Sequence, residues 1–378
     1  MKNVFVSSDN ILSPIGLTSA ENFAQLKKLV SGIEKHEDET ISEQPFYASL
    51  FGKEIPFLSD DFHNKYTKFE KLLIASITNA LKGSGIDAGD MQTALILSST
   101  KGNISLVETE EFSQSLSKRI ALSTSAKLVA DYFQFTNQPI IVSHACISGL
   151  LAIITGMRMI RSGKYENVVI AGADVISKFV LSGFQSFQAI SGEHCKPFDQ
   201  SRNGINLGEG AGTIILTSNK KFAKGIKLSG GSISNDSNHI SGPSRTGEEL
   251  GHSIKIAIKD AFLSNAEIDF ISAHGTATVY NDEMEAKAIT LVNLQDVPIN
   301  SLKGYYGHTL GAAGLIESII STYSLNENII LPTKGFQRIG VTQPINICNS
   351  LYKTPLRNCL KIASGFGGCN AAVVFSKQ

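Results

Sequence analysis

One cysteine and two histidines stand where this sequence could put them to chemical use. Cys146 follows the apolar run Ile140-Ile141-Val142 by a few residues and precedes a helical pattern that begins near Ile147. A thiol at a helix N-terminus faces unpaired backbone N–H groups and the positive end of the helix dipole, and both favour the thiolate. A strand-to-helix turn also exposes a nucleophile and offers its own N–H to an oxyanion. The competing reading is a buried cysteine serving as a small apolar side chain, the usual fate of a free thiol. His274, in Ile271-Ser272-Ala273-His274-Gly275-Thr276-Ala277-Thr278, follows a strand end. His308, in Lys303-Gly304-Tyr305-Tyr306-Gly307-His308-Thr309, precedes a helix of small residues. Flanking glycine and threonine give each histidine backbone freedom and local hydrogen-bond partners, so neither reads as core filler. Either one alone is more often structural than catalytic. Because α/β folds gather ligands at the carboxyl ends of their strands, the three together point to one site.

Other candidates carry less. Leu207-Gly208-Glu209-Gly210-Ala211-Gly212-Thr213 resembles a fragment of a phosphate loop, but no strand immediately precedes it and no G-x-x-x-x-G-K-[ST] occurs, so the nucleotide signal is poor. Gly365-Phe366-Gly367-Gly368 would bring bare backbone up to a ligand with a phenylalanine on a hinge, or else make a tight turn before the last strand. No H-E-x-x-H or Cys/His spacing supports a metal, and none is expected.

These residues need a frame. Ala94–Leu97, Pro139–Val142, Val168–Ala171, Thr213–Leu216 and Ala371–Phe375 read as buried strands. Phe69–Leu81 and Gly149–Ile160 carry apolar residues at helical spacing. Strands alternating with helices predict an α/β protein with largely parallel sheets. Ser143–Leu151 and Tyr306–Leu315 both pass from a special-residue turn into a helix rich in small residues. Two similar halves joined in the polar stretch Ser218–Gly225 would explain that echo, as would coincidence between two glycine-rich helix starts.

Composition sets the outer bounds. The 378 residues are 42% hydrophobic, enough for one large or two ordinary domains, and 34 basic side chains balance 34 acidic ones. That balance argues against a nucleic-acid or membrane binder acting through its whole surface. The cysteines, five in number, form no C-x-x-C pair, which fits reduced thiols of the cytoplasm better than a disulfide framework. The first residues are too short in apolar character for a signal peptide, and runs such as Leu150–Ile154 fall far below a membrane span.

The motifs also occur in an order that resembles the condensing enzymes of thiolase fold, specifically the elongating β-ketoacyl-acyl-carrier-protein synthases. Leu12-Ser13-Pro14-Ile15-Gly16 is similar to the family's N-terminal segment, and Ala145-Cys146-Ile147-Ser148-Gly149 to its nucleophile turn. Lys196-Pro197-Phe198-Asp199, Arg202-Asn203-Gly204 and Gly208–Gly212 resemble its central block. Ala273–Thr278 with Asn281, Asp282 and Glu285 resembles its first histidine motif; Lys303, Gly307-His308 and Gly311–Gly314 resemble the second; and Gly365–Gly368 with Asn370 and Ala371 resembles its final loop.

The resemblance implies a layered αβαβα core of two similar halves, residues 1–224 carrying the nucleophile and residues 225–378 carrying both histidines. It implies decarboxylative Claisen condensation of an acyl chain on Cys146 with malonyl-carrier thioester, in fatty-acid, polyene or polyketide chain elongation. His274 and His308 would stabilise the enolate, and the N–H groups of Cys146 and Phe366 would form the oxyanion hole, with Phe366 gating the acyl pocket. Lys303 would pair with Glu317, Asp282 would hold loop geometry, and Thr276 and Thr278 would bind the pantetheine arm. That arm belongs to the acyl carrier protein, so no cofactor of the chain's own is implied. A homodimer, or a heterodimer with a related synthase or chain-length subunit, is the implied assembly. Lys65 and Lys68 are the candidates for docking an acidic carrier. Two alternatives share the fold: a chain-length-setting partner subunit, which generally lacks the nucleophile, and a thiolase, which should present a second catalytic cysteine in a C-x-G turn. Here Cys369 is followed by Asn370 and Ala371. His144 and Cys369 depart from the family pattern.

Overall fold

A computed structural model describes residues 2–52, 65–237 and 242–378. Ten strands carry the core: β1 (Phe5–Leu12), β2 (Thr93–Ser98), β3 (Ile140–Val142), β4 (Asn167–Asp174), β5 (Gly210–Thr217), β6 (Ile226–Asn235), β7 (Phe270–Ser272), β8 (Ile299–Asn300), β9 (Asn358–Gly365) and β10 (Cys369–Lys377). The helices that frame the core and the site, among the described residues, include α1 (Lys68–Lys82), α2 (Leu122–Tyr132), α3 (Ser148–Arg161), α4 (Lys178–Ser186), α5 (Glu248–Asp260), α6 (Val279–Leu291) and α7 (Ala313–Glu327).

The strand order exposes a duplication. From the middle outward one side runs β1-β5-β4-β2-β3 and the other β6-β10-β9-β7-β8, so the two halves repeat one connectivity. The directions repeat as well: the two inner pairings of each half are antiparallel and the two outer ones parallel. A single residue pair, Phe5 with Lys227, joins the halves as a sheet. The largely parallel sheet expected from element alternation is therefore a mixed one. The connection between β9 and β10 is a three-residue turn, Phe366 to Gly368, too short for a crossover, which forces an antiparallel pair.

Period-two side-chain alternation builds the layers. On β2, Leu95 and Leu97 face α1 and α2 with Leu72, Ile77 and Val129, while Ile96 faces inward. On β10, Ala372 and Val374 face α5 and α6, while Val373 and Phe375 face inward. The inner faces of both halves of the sheet close over α3 and α7 through Leu150, Ile153, Ile154, Leu315, Ile319 and Ile320.

Small residues let α3 and α7 touch backbone to backbone. A Cβ at Gly149 would lie 2.7 Å from the Leu315 nitrogen, and one at Gly314 would lie 2.9 Å from the Leu150 nitrogen. The contact is reciprocal, as the duplicated strand order requires. Gly314→Val should therefore lower stability by at least roughly 1–3 kcal/mol, since no flexible side chain is there to yield. Thermal denaturation of the variant checks this, and an unchanged melting temperature would contradict the packing.

The glycine-rich segment Gly208–Gly212 is not a ligand loop. It forms Leu207–Gly208, a short strand in a separate three-stranded sheet, and the start of β5. A Cβ at Gly208 would meet the Tyr306 carbonyl, and one at Gly212 would press on Ile316 of α7. The glycines serve close packing against the second half.

Candidate active site

Cys146 sits in a strained turn at the end of β3. Ala145, one residue earlier, has φ 44°, a left-handed conformation that costs a non-glycine residue energy. The strain is held by Ser148, whose hydroxyl donates to the Ala145 carbonyl (2.7 Å) and accepts from the His144 N–H (2.7 Å). No side chain caps the start of α3; its first N–H, that of Ser148, instead bonds the Ala145 carbonyl (3.2 Å). Opposite lies the β9–β10 turn, where a Cβ on Gly365 would come within 2.9 Å of the Cys146 nitrogen. Phe366 thus follows directly on the backbone that flanks Cys146.

The second half delivers the histidines. His274 leaves β7 on a loop clamped by two carboxylates of α6. Glu285 accepts from the N–H groups of His274 (2.7 Å) and Gly275 (2.6 Å); Asp282 accepts from those of Thr276 (2.9 Å) and Phe198 (2.7 Å). His308 follows the one-turn helix Lys303–Tyr306 and is pinned to the first half, donating its N–H to the Asn206 carbonyl (2.7 Å) and accepting from the Gly208 N–H (3.0 Å). Three residues on, the Gly311 N–H donates to Asp174 at the end of β4 (2.7 Å).

The Cys146 sulfur and nitrogens of His274 and His308 lie within 4.8 Å of one another. The imidazoles meet edge to face with centroids 5.2 Å apart. Both ring nitrogens of His308 and Nδ1 of His274 are buried without a partner among the described residues, which leaves them free to bond a substrate. Among the described residues this is the one cluster of metal-type donors. Sequence spacing hides it because its members come from three distant segments.

Burial sets the protonation states. It pushes the Cys146 thiol up to about 12, with Cys369 adding to the shift. The thiolate expected from the helix start is thus not the resting form. Burial and then the Lys303 ammonium hold His274 well below the ordinary imidazole range, and the same two causes act on His308. The resting site is a thiol facing two neutral imidazoles. Burial raises Asp282 to about 6 and Glu285 to about 7 despite the backbone donors aimed at them.

The other expected residues fall around this centre. Lys303 pairs with Glu317 on α7, both buried. Thr276 and Thr278 share a hydroxyl hydrogen bond (2.8 Å) and line the cavity of about 470 Å³ that reaches Cys146, His274 and His308. Phe366 lies on the same cavity, stacked on Phe184 (6.1 Å) and tilted against Phe187 (5.4 Å); Phe184 in turn meets His308 edge-on (6.5 Å). Cys369 lies against the turn, its sulfur 3.3 Å from the Phe366 carbonyl, and burial lifts its thiol to about 11. Lys68 does not stand free for a partner: it binds Glu209, a buried carboxylate, at 2.6 Å. Lys65 lies over the Tyr66 ring at 5.7 Å. Sequence reasoning gave no role to Glu285, Asp174 or Lys361. Glu285 stood in the quoted histidine motif, but its clamp on the loop is visible only once α6 folds back.

Comparison with known proteins agrees with this geometry. Residues 10–221 match the family described as Beta-ketoacyl synthase, N-terminal domain, and residues 227–337 match Beta-ketoacyl synthase, C-terminal domain. The chain is 28% identical to 3-oxoacyl-[acyl-carrier-protein] synthase 2 of Vibrio cholerae, covering 100% of this chain and 99% of that one. It is 26% identical to the enzyme of the same name from Staphylococcus aureus, covering 100% and 98%. Among solved structures, the ishigamide ketosynthase/chain length factor superposes with a TM-score of 0.91 at 24% identity, covering 100% and 99% of the two chains. A ketosynthase from Xenorhabdus doucetiae, solved in complex with its chain length factor, superposes with a TM-score of 0.89 at 23% identity, covering 100% and 98%.

Proposed function

Because the chain belongs to the β-ketoacyl synthase family, we propose that Cys146, His274 and His308 carry out its decarboxylative Claisen condensation. The chain is an acyltransferase of the 3-oxoacyl-[acyl-carrier-protein] synthase type, acting in fatty-acid or polyketide-type chain elongation. The observation that carries the residue assignment is the convergence of one thiol and two partnerless imidazoles on one cavity.

The Cys146 sulfur attacks the carbonyl carbon of an acyl-carrier thioester. A new C–S bond forms, the bond to the pantetheine sulfur breaks, and the thiol proton passes to the released carrier thiol. A neutral imidazole nearby can relay it. The transient oxyanion meets the N–H groups of Cys146 and Phe366. Malonyl-carrier thioester then places its thioester oxygen against His274 and His308. As carbon dioxide leaves, the electron pair flows into an enolate whose oxygen both imidazoles stabilise with N–H donors. The enolate carbon attacks the acyl carbon on Cys146, the C–S bond breaks to release the 3-oxoacyl-carrier thioester, and the sulfur takes a proton from solvent.

In this scheme Lys303 and Glu317 fix the floor of the site, Asp282 and Glu285 fix the His274 loop, and Thr276 and Thr278 hold the pantetheine arm. Phe366 gates entry to Cys146. The arm arrives with an acyl carrier protein, so the chain needs no cofactor of its own. Docking of that acidic partner, expected at Lys65 and Lys68, falls to Lys65, since Lys68 serves Glu209. A cytoplasmic dimer, either of two copies or with a related chain-length subunit, is the assembly this reading favours. Solved relatives with chain length factors support the second form.

Intact-mass measurement after incubation with a panel of acyl-carrier thioesters tests the reading. One acyl increment per chain is expected, largest for the preferred chain. No increment with any carrier thioester would overturn it.

A further inference from the structure

Lys361 is a charged residue in the middle of a buried strand. It lies on β9 between Leu360 and Ile362, and none of its surface reaches solvent. A buried ammonium is costly unless it is paired and fully hydrogen-bonded, so its contacts carry information. Its Nζ donates to the carbonyls of Ser272 (3.2 Å), Ala273 (3.0 Å) and Ile362 (2.8 Å). The Glu317 carboxylate stands 2.8 Å from the same nitrogen and shares its hydrogens with those carbonyls. Ala273 immediately precedes His274, and Glu317 also holds Lys303, five residues before His308. One carboxylate therefore faces two ammonium groups.

We propose that Lys361 is a positioning residue for the two-histidine site, tying the end of the His274 strand to Glu317 and leaving the imidazoles beside a surplus positive charge. The proposal rests on the condensing role given to His274 and His308. The ionisable groups around the ammonium are Glu317 and Lys303, Glu285 behind the His274 loop, the two imidazoles, and Cys359 on its own strand. Glu285 is occupied by the N–H groups of His274 and Gly275, so Glu317 is the only carboxylate within ion-pair distance of Lys361 among the described residues. A neighbouring positive charge disfavours imidazolium, which keeps both histidines neutral and able to donate to an enolate oxygen.

Lys361→Met and Lys361→Gln test this in the full-length protein. Methionine removes charge and donors together; glutamine removes the charge but keeps a donor for the Ser272 or Ala273 carbonyl. Each variant still leaves a matched Lys303–Glu317 pair, and circular dichroism with thermal melting verifies folding. The rate of carbon dioxide release from malonyl-carrier protein is followed against pH. Without the charge the imidazoles protonate more readily, so the acid limb of the profile moves to higher pH in both variants, by roughly one unit. Methionine also lowers the plateau rate by about ten- to a hundredfold, because a misplaced His274 loses alignment. Acyl loading falls less than decarboxylation. An acid limb that stays in place in whichever variants fold, or loading and decarboxylation falling in equal proportion, overturns the proposal. A wild-type protein that releases no carbon dioxide overturns the condensing role instead.

Discussion

Cys146→Ala loses acyl loading by at least about a thousandfold while malonyl decarboxylation persists. The expectation follows from the division of the site. Loading needs a sulfur between the start of α3 and the β9–β10 turn, and alanine has none. Decarboxylation needs donors at the thioester oxygen, and those come from His274 and His308, whose backbones are held by Glu285, Asn206 and Gly208 independently of the thiol. Intact mass reads the first step and carbon dioxide release the second. The informative contrary result is an acyl increment on the alanine variant. It would point to Cys369, the other thiol at the turn, despite a thiol held up to about 11.

His308→Leu separates function from stability. Removing one oxyanion donor typically costs about a hundred- to a thousandfold, and that loss is expected in decarboxylation. Among the described residues neither ring nitrogen of His308 has a protein partner, so replacing the ring breaks no hydrogen bond within them. Leucine is apolar and of similar bulk, so the variant should keep its stability to within about 1 kcal/mol. Equilibrium denaturation and carbon dioxide release are measured on the same sample. Slower chemistry with lower stability would mean the imidazole has a structural partner after all.

Much of the frame is legible in the sequence, for physical reasons. Leu95, Ile96 and Leu97 are apolar on both faces because their strand is covered on both sides, and Leu72, Leu73 and Ile77 repeat at helical spacing because one helix face is buried. Strand direction is less visible, since periodicity carries no sign; the mixed sheet becomes apparent only through the brevity of the turn from Phe366 to Gly368. The reacting side chains are legible from their flanking glycines and the order of their motifs. Their electrostatics are not. A thiol at a helix start reads as reactive, yet burial from both halves outweighs that position and keeps the proton on. Lys361 is the extreme case: a lysine between Leu360 and Ile362 reads as an interruption, and its meaning depends on Glu317 arriving from another element.

The glycine contact between α3 and α7 has a consequence for traffic through the enzyme. Cys146 precedes one of these helices and His308 the other, and at Gly149 and Gly314 the two meet with no room for even a Cβ. The halves cannot open like a jaw to admit a chain without pulling nucleophile and imidazoles out of register. On the proposed mechanism, movement falls to the visitor, a flexible arm threading a rigid body, and to the short segment around Phe366. Turnover ceilings should then respond to changes in that segment more than to anything that loosens the junction of the halves.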